Sequence, residues 1–226
     1  KNQIMKNVLI IMNISVLVHR TIVEEFIKGV SYMKRIEEYY ANTEVNIPHK
    51  NIKKFLEIGL NPGNAIELGC GAGRGTINLI RNKWNVLAID REDVKDRIIK
   101  RLKQEELKYF NFKKLNFEDV ILEKNNLVVA NFSIPFCIKS KFNELWDKIN
   151  SSILPNGYFV GNFFGIRDEW RNTKENMVFL DRQQVMALFE EFDIISFEET
   201  EKDMETGLGR VKHWHIFDVI AKKKEE

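Results

Sequence analysis

Residues 67–73 have the types and spacing of a ligand-binding turn: Glu67, Leu68, Gly69, Cys70, Gly71, Ala72, Gly73. Bare backbone at alternate positions permits positive φ and lets ligand atoms approach the main chain closely. A short apolar run, residues 65–68, precedes the glycines, and a helical pattern over residues 76–82 follows. The first turn of such a helix offers unpaired N–H groups. Dinucleotide enzymes use a related turn, G-x-G-x-x-G/A, whose third small residue lets helix and strand pack closely. Counted from Gly69 the sixth position is Arg74, and from Gly71 it is Thr76, so that pattern does not fit.

The pattern present is an acid, one spacer, then G-x-G-x-G. A carboxylate beside the turn repels a pyrophosphate and suits a ligand with a cationic amino-acid end. That chemistry points to S-adenosylmethionine, which carries an ammonium and a sulfonium and no phosphate. Asp90 closes the next apolar run, where an acid can accept both hydroxyls of a ribose; Arg91 follows it. Asn116 and Phe117 come after the third run and are candidates to hold adenine by polar contact and packing. Asn131 and Phe132 end the fourth run, close to where a reactive methyl would sit. Cys70 lies within the turn as a small residue.

These residues need elements to hold them. Apolar spacing predicts helices over residues 21–40, from Pro48 through Ile58, and over 76–82, 94–107, 142–153 and 183–192. Strands are expected over 65–68, 84–90, 109–115, 126–132, 158–163, 193–197 and 215–221. Turns are expected at 61–63 and 155–157. Alternation of strand and helix implies a parallel sheet with helices on both faces. The last two strands have no helix between them, so they form an antiparallel hairpin at one edge, joined by a polar loop with Gly207 and Gly209.

The stretches "AIELGCGAGRGT", "VLAIDRE", "ANFSIPF", "LPNGYFVGNFFGIRDEW" and "KHWHIF" resemble, in order, a class I S-adenosylmethionine-dependent methyltransferase. Within that superfamily the chain is similar to small bacterial methyltransferases of the tellurite-resistance and thiopurine type. The resemblance implies a doubly wound, mostly parallel seven-stranded α/β sheet of order 3-2-1-4-5-7-6. It covers residues 31–226 as one methyltransferase domain and leaves residues 1–30 as an N-terminal extension.

In such a sheet the loop after strand five and the start of strand seven emerge at the ligand edge. Phe164, Arg167 and Trp170, with Phe136, Tyr39 and Tyr40, are therefore candidates to surround the acceptor. His213, His215 and Asp168 are candidates for proton handling. His213 and His215 point the same way on a strand, but no third ligand accompanies them, so no metal site is expected. Local pairing of Arg167 with Asp168 is the competing structural reading.

The whole composition narrows the partners. The 226 residues are 44% hydrophobic and 30% charged, with a net charge of +2, so no strong field favours nucleic acid or a membrane surface. DNA amino-methylating enzymes carry Asn/Asp-Pro-Pro-aromatic after strand four, whereas this chain reads Asn131-Phe132-Ser133-Ile134. No basic stripe with interleaved aromatics suggests RNA. The apolar run at residues 7–18 is too short to span a bilayer and is expected to be a packing helix or an extension rather than a signal peptide. Two cysteines fit a reducing cytoplasm. The expectation is a monomeric or homodimeric enzyme that moves a methyl group from S-adenosylmethionine to a small-molecule acceptor, leaving S-adenosylhomocysteine. The alternatives are a non-catalytic S-adenosylmethionine sensor, an RNA methyltransferase and an NAD-dependent reductase.

Overall fold

The structure, a computed structural model, describes residues 29–44 and 47–225. The apolar run at 7–18 and the first part of the helix expected over 21–40 lie outside the described residues. The described residues divide into two compact units between Asn42 and Thr43. The first unit holds almost all of helix α1 (residues 29–43), on which the rings of Tyr39 and Tyr40 meet edge-on at 5.6 Å.

The second unit contains helices α2 (Lys50–Glu57), α3 (Arg74–Arg81), α4 (Lys95–Ile99), α5 (Phe142–Ser152) and α6 (Arg182–Ala187). Its strands are β1 (Asn64–Leu68), β2 (Asn85–Asp90), β3 (Phe110–Lys114), β4 (Asn125–Ala130), β5 (Ile153–Phe164), β6 (Phe192–Glu205) and β7 (Val211–Lys223). They form one sheet of order β3-β2-β1-β4-β5-β7-β6, as the resemblance implies. β1 to β5 pair in parallel; β7 runs antiparallel to both β5 and β6. Parallel strands end at one edge, so the turns after β1, β2 and β4 lie side by side there.

Helices cover both faces because the central strands are apolar on both. Ile52 and Phe55 of α2 and Leu79 and Ile80 of α3 join Ala65, Val86, Leu127 and Val160 on one face. Leu145, Trp146 and Ile149 of α5 and Val185 of α6 join Ile66, Val128, Phe159 and Phe217 on the other. His49 caps α2 by accepting the Asn51 N–H, and Gly59, at φ +75°, turns the chain beyond its end. The chain thus turns at Gly59 and runs through the expected 61–63 turn without regular structure.

Four expected boundaries are corrected. The helix over 94–107 stops at Ile99; buried Glu106 accepts the Lys103 N–H and replaces helix with a turn. The expected turn at 155–157 is an irregularity inside β5. Asn156 takes φ +62°, and β5 advances from Ile153 to Tyr158 while β4 advances from Asn125 to Leu127. α6 ends at Ala187, although its start is firm: Asp181 and Gln184 form a capping box. The hairpin is much longer than expected, because most of the supposed polar loop is strand. Its charged residues suit an edge strand such as β6, which they shield from further pairing.

Gly75 is packed so closely that a Cβ would collide with Glu67 Oε1 and lie 2.7 Å from Ile52 Cδ1. Gly75→Ala should therefore lower stability by about 1–3 kcal/mol in urea unfolding.

Candidate functional site

The turn after β1 is built from left-handed backbone. Gly69, Gly71 and Gly73 have φ of +69°, +51° and +78°, values that side chains strain to reach. A Cβ on Gly69 would also collide with Ser133 beyond β4, and one on Gly73 would lie 2.5 Å from Ile98 Cγ1. The N–H groups of Gly69 and Cys70 donate to Ile89 O at 2.8 and 3.1 Å, which ties the turn to β2. Asp90 completes the tie: its Oδ2 accepts the Gly71 N–H at 2.8 Å and its Oδ1 the Glu92 N–H at 3.0 Å. Burial pushes the Asp90 carboxyl above its usual range, against those two N–H bonds. Each oxygen keeps a second lone pair that can accept a hydroxyl.

Glu67 is placed differently from expectation. Its carboxylate turns back onto the first turn of α3, where it accepts the Thr76 hydroxyl and lies against Gly75. Only 5% of the residue is exposed, and burial pushes its carboxyl up to about 7. Its charge thus acts on the turn from behind. Burial also holds the Cys70 thiol well above its usual range, in keeping with a small packed residue. Arg91 pairs with neighbouring Glu92 at 3.5 Å. Phe117 is half-buried with its ring edge 3.5 Å from the Cβ position of Gly69, so it meets the glycine turn. Asn116 precedes the short turn Phe117–Asp119 and donates to Asp119 Oδ2 at 3.4 Å.

The corner after β4 brings polar and aromatic groups to the same edge. Phe132 has φ +52°, a strained value for an aromatic residue, and Asn162 Oδ1 fixes it by accepting its N–H at 2.8 Å. Asn131 Oδ1 accepts from Asn51 Nδ2 at 3.2 Å. Asn131 Nδ2 and Ser133 Oγ are buried without a partner in the protein. Buried polar groups rarely stay unpaired; these two flank Phe132 in the corner after β4, where Ser133 lies against Gly69. The Phe132 ring lies 5.2 Å from His49, 6.1 Å from Phe164 and 5.7 Å from Trp214. Phe136 and Trp170 extend this cluster, each about 6 Å from Phe164. Burial lowers the His49 imidazole to about 4, so at neutral pH it is uncharged.

His213, His215 and Arg167 do not converge on that cluster, whereas Asp168 joins it through Lys212 and the Trp170 N–H. Side chains alternate along β7, so His213 and His215 lie on the face opposite Lys212 and Trp214. His213 pairs with Asp203 at 2.8 Å and Glu201 at 3.3 Å, and His215 Nε2 with Glu199 at 2.9 Å. The Arg167 side chain joins Glu199 and Glu201 at 2.9 and 2.7 Å. Asp168 is fully buried against Lys212 and also accepts the N–H groups of Trp170 and His215. Arg167 and Asp168 therefore make separate ion pairs rather than the local one considered. The Lys212 ammonium sits 4.0 Å from the Trp170 ring and 3.9 Å from the Trp214 ring.

The sequence reading missed His49, Asn51, Asn162, Lys212, Trp214 and Asp218. A signal was present for two of them. Asn162 in "FVGNFF" and Asp218 in "HIFDVIA" are polar residues in runs expected to be buried strands, which require partners.

Residues 32–204 match the family model described as "Tellurite resistance protein TehB", and the chain belongs to that family. No curated protein sequence matches it. Its fold is similar to that of TehB from Haemophilus influenzae, with a TM-score of 0.65, 13% identity and coverage of 78% of this chain. The chain spans 62% of that protein's length. It also resembles the N-methyltransferase NodS from Bradyrhizobium japonicum, solved with S-adenosyl-L-homocysteine (TM-score 0.58, 15% identity, 78% of this chain and 86% of that one). A third is the Burkholderia thailandensis 1,6-didemethyltoxoflavin-N1-methyltransferase (TM-score 0.59, 12% identity, 93% and 89%). The fold is thus that of S-adenosylmethionine-dependent methyltransferases.

Two groups tilt the pH dependence in opposite directions. Glu67, raised to about 7, keeps its proton longer in the folded state, so its contribution is lost as pH rises from 4.5 to 7. His49, lowered to about 4, is protonated first in the unfolded chain, so stability falls as pH drops from 6.5 to 4. Glu67→Gln removes the first slope: relative to wild type it should gain about 1–3 kcal/mol between pH 5 and pH 8 in urea unfolding without ligand. Lys212→Met strands the Asp168 carboxylate and should cost about 3 kcal/mol, with a shift in tryptophan emission as Trp170 and Trp214 lose their cation.

Proposed function

We propose that the chain, over residues 31–226, is a methyltransferase that uses S-adenosylmethionine to methylate a small-molecule acceptor. The observation that carries this reading is the pairing of a cradle with unmet donors. Gly69, Gly71 and Gly73 bare a left-handed backbone, and Ser133 Oγ and Asn131 Nδ2 lie unpaired in the adjoining corner after β4. When bound, S-adenosylmethionine supplies a methyl group already activated on a sulfonium. The residues hold and align the reactants.

Asp90 accepts the ribose hydroxyls on its remaining lone pairs. Gly69 and Gly71 let the ligand lie on the backbone, and Phe117 packs against adenine. Asp90, and Glu67 when ionised, make the turn negative, which favours a cationic ligand and disfavours a pyrophosphate. Phe132, Phe164, Trp170 and Trp214 keep water from the acceptor side, and Phe136 forms its outer rim. Displacement at a methyl requires chiefly alignment, so the geometry needs no protein base for an acceptor that reaches the site deprotonated. His213 and His215, held by carboxylates on the other face, are not assigned that role. Among the described residues no helix is long and apolar enough to cross a membrane. The two buried free thiols suit a cytoplasmic setting.

Calorimetric titration should show binding of S-adenosylmethionine and S-adenosylhomocysteine and none of NAD. Asp90→Ala should weaken both by at least about tenfold, the scale of losing charge-assisted hydrogen bonds. Unchanged affinity in that variant would remove Asp90 from the site. A metabolite screen with labelled methyl donor separates enzyme from sensor, since only an enzyme transfers the label.

A further inference from the structure

Polarity within the β4 corner can be traced to a charge buried one layer beneath it. Asp218 lies mid-strand in β7, only 4% exposed, and can only accept when ionised. Its Oδ2 pairs with Lys50 at 2.6 Å, and its Oδ1 accepts from Asn51 Nδ2 at 2.8 Å. Gly161 O, also acceptor-only, faces the same nitrogen at 3.2 Å. Two obligate acceptors therefore fix which end of the Asn51 amide points inward. The same NH2 group lies 3.2 Å from Asn131 and shares a hydrogen with it; a second NH2 turned to it there would be repelled, so the Asn131 carbonyl faces it. That leaves the Asn131 NH2 turned away, buried and without a partner in the protein. Asn162 links the same carboxylate to the strained Phe132: its Nδ2 lies 3.4 Å from Asp218 Oδ1, and its Oδ1 holds the Phe132 N–H.

We propose that Asp218 and Asn51 are positioning residues that hold the Asn131 amide with its NH2 toward the bound ligand. The site then presents a fixed hydrogen-bond donor at this corner and selects a ligand atom that accepts. The chain of bonds has one direction because it begins at a carboxylate. An amide at position 218 would give its oxygen to Lys50 and present an NH2 to Asn51, so Asn51 and Asn131 would turn with it. The inference rests on the reading of this edge as the S-adenosylmethionine site.

The test uses the full chain, labelled with 15N at side-chain amides, with S-adenosylhomocysteine as probe. The Asn131 NH2 pair is assigned by its disappearance in Asn131→Asp. In ligand-free wild type that pair should be held in one environment. In Asp218→Asn it should shift and exchange faster with solvent, with thermal midpoint and circular dichroism confirming the fold. The double variant Asn51→Asp/Asp218→Asn reverses donors and acceptors while keeping the net charge. It should turn the Asn131 carbonyl outward and weaken S-adenosylhomocysteine binding about tenfold, as Asn131→Asp does, the scale of one lost hydrogen bond to a charged or buried group. An Asn131 amide signal identical in wild type and a folded Asp218→Asn would overturn the proposal. So would wild-type affinity in a folded double variant. A wild-type chain that does not bind the probe, yet shows the expected amide change in Asp218→Asn, would refute the cofactor reading and still support the positioning role.

Discussion

The turn after β1 forms only because three glycines take left-handed backbone, and the ends of the neighbouring strands close directly on it. Ile89 O receives two of its N–H groups, Asp90 receives a third, Ser133 presses on Gly69, and Ile98 presses on Gly73. A side chain at Gly69 would have to displace the corner after β4. The backbone of one turn thus sets the spacing between β1, β2 and β4 at the edge where a ligand can lie. Parallel pairing brings the strand ends together, but the missing Cβ atoms let them approach to contact distance.

Much of this half of the site was legible in the sequence because its determinants are local. Glycine spacing reports backbone conformation, and an acid closing an apolar run reports a strand end. Glu67 shows the limit of that kind of reading. Its place in sequence puts a carboxylate next to the turn, yet the direction of its side chain is set by Thr76, in the first turn of α3, and by the space over Gly75. Neither neighbour changes the glycine pattern, so spacing alone could not decide between a carboxylate in front of the turn and one behind it. The fold was equally legible in outline. The helix after β2 was overextended because helical apolar spacing continued past the point where Glu106 captured the Lys103 N–H.

The acceptor side depends on contacts that spacing does not report. Alternation along β7 separates His213 and His215 from Lys212 and Trp214, but alternation does not say which set meets the cluster. That is decided by β5, whose Phe164 pairs with Ile216 and so shares a face with Trp214. On the other face Gly165 leaves room for the His215 ring, which lies close enough to collide with any Cβ there. The histidines were the conspicuous residues, and the lysine before them and the tryptophan between them carry the cluster. The charged run of β6 looked like a loop for a related reason: its carboxylates are drawn into an ordered strand by Arg167, Arg182 and the two histidines across it.

Buried charge is unusually dense beside this edge, and stability does not explain it. A buried ion pair seldom stabilises a fold relative to well-packed apolar residues of the same volume, because desolvation offsets the attraction. The buried pair Asp168 with Lys212, and the buried Asp218 carboxylate with its exposed partner Lys50, are therefore better understood by what else the carboxylates hold. Asp168 takes the N–H groups of Trp170 and His215 and so fastens the loop after β5 onto β7. Asp218 takes an Asn51 N–H and reaches Asn162, fastening α2 and the corner after β4 onto the same strand. A hydrophobic pair could fill either space, but it could not dictate direction to an amide or fix a loop by its backbone. Asp90 does the same for the glycine turn. In each case an acceptor-only group at low exposure sets the direction of donors, so the ligand edge is defined by orientation as much as by shape.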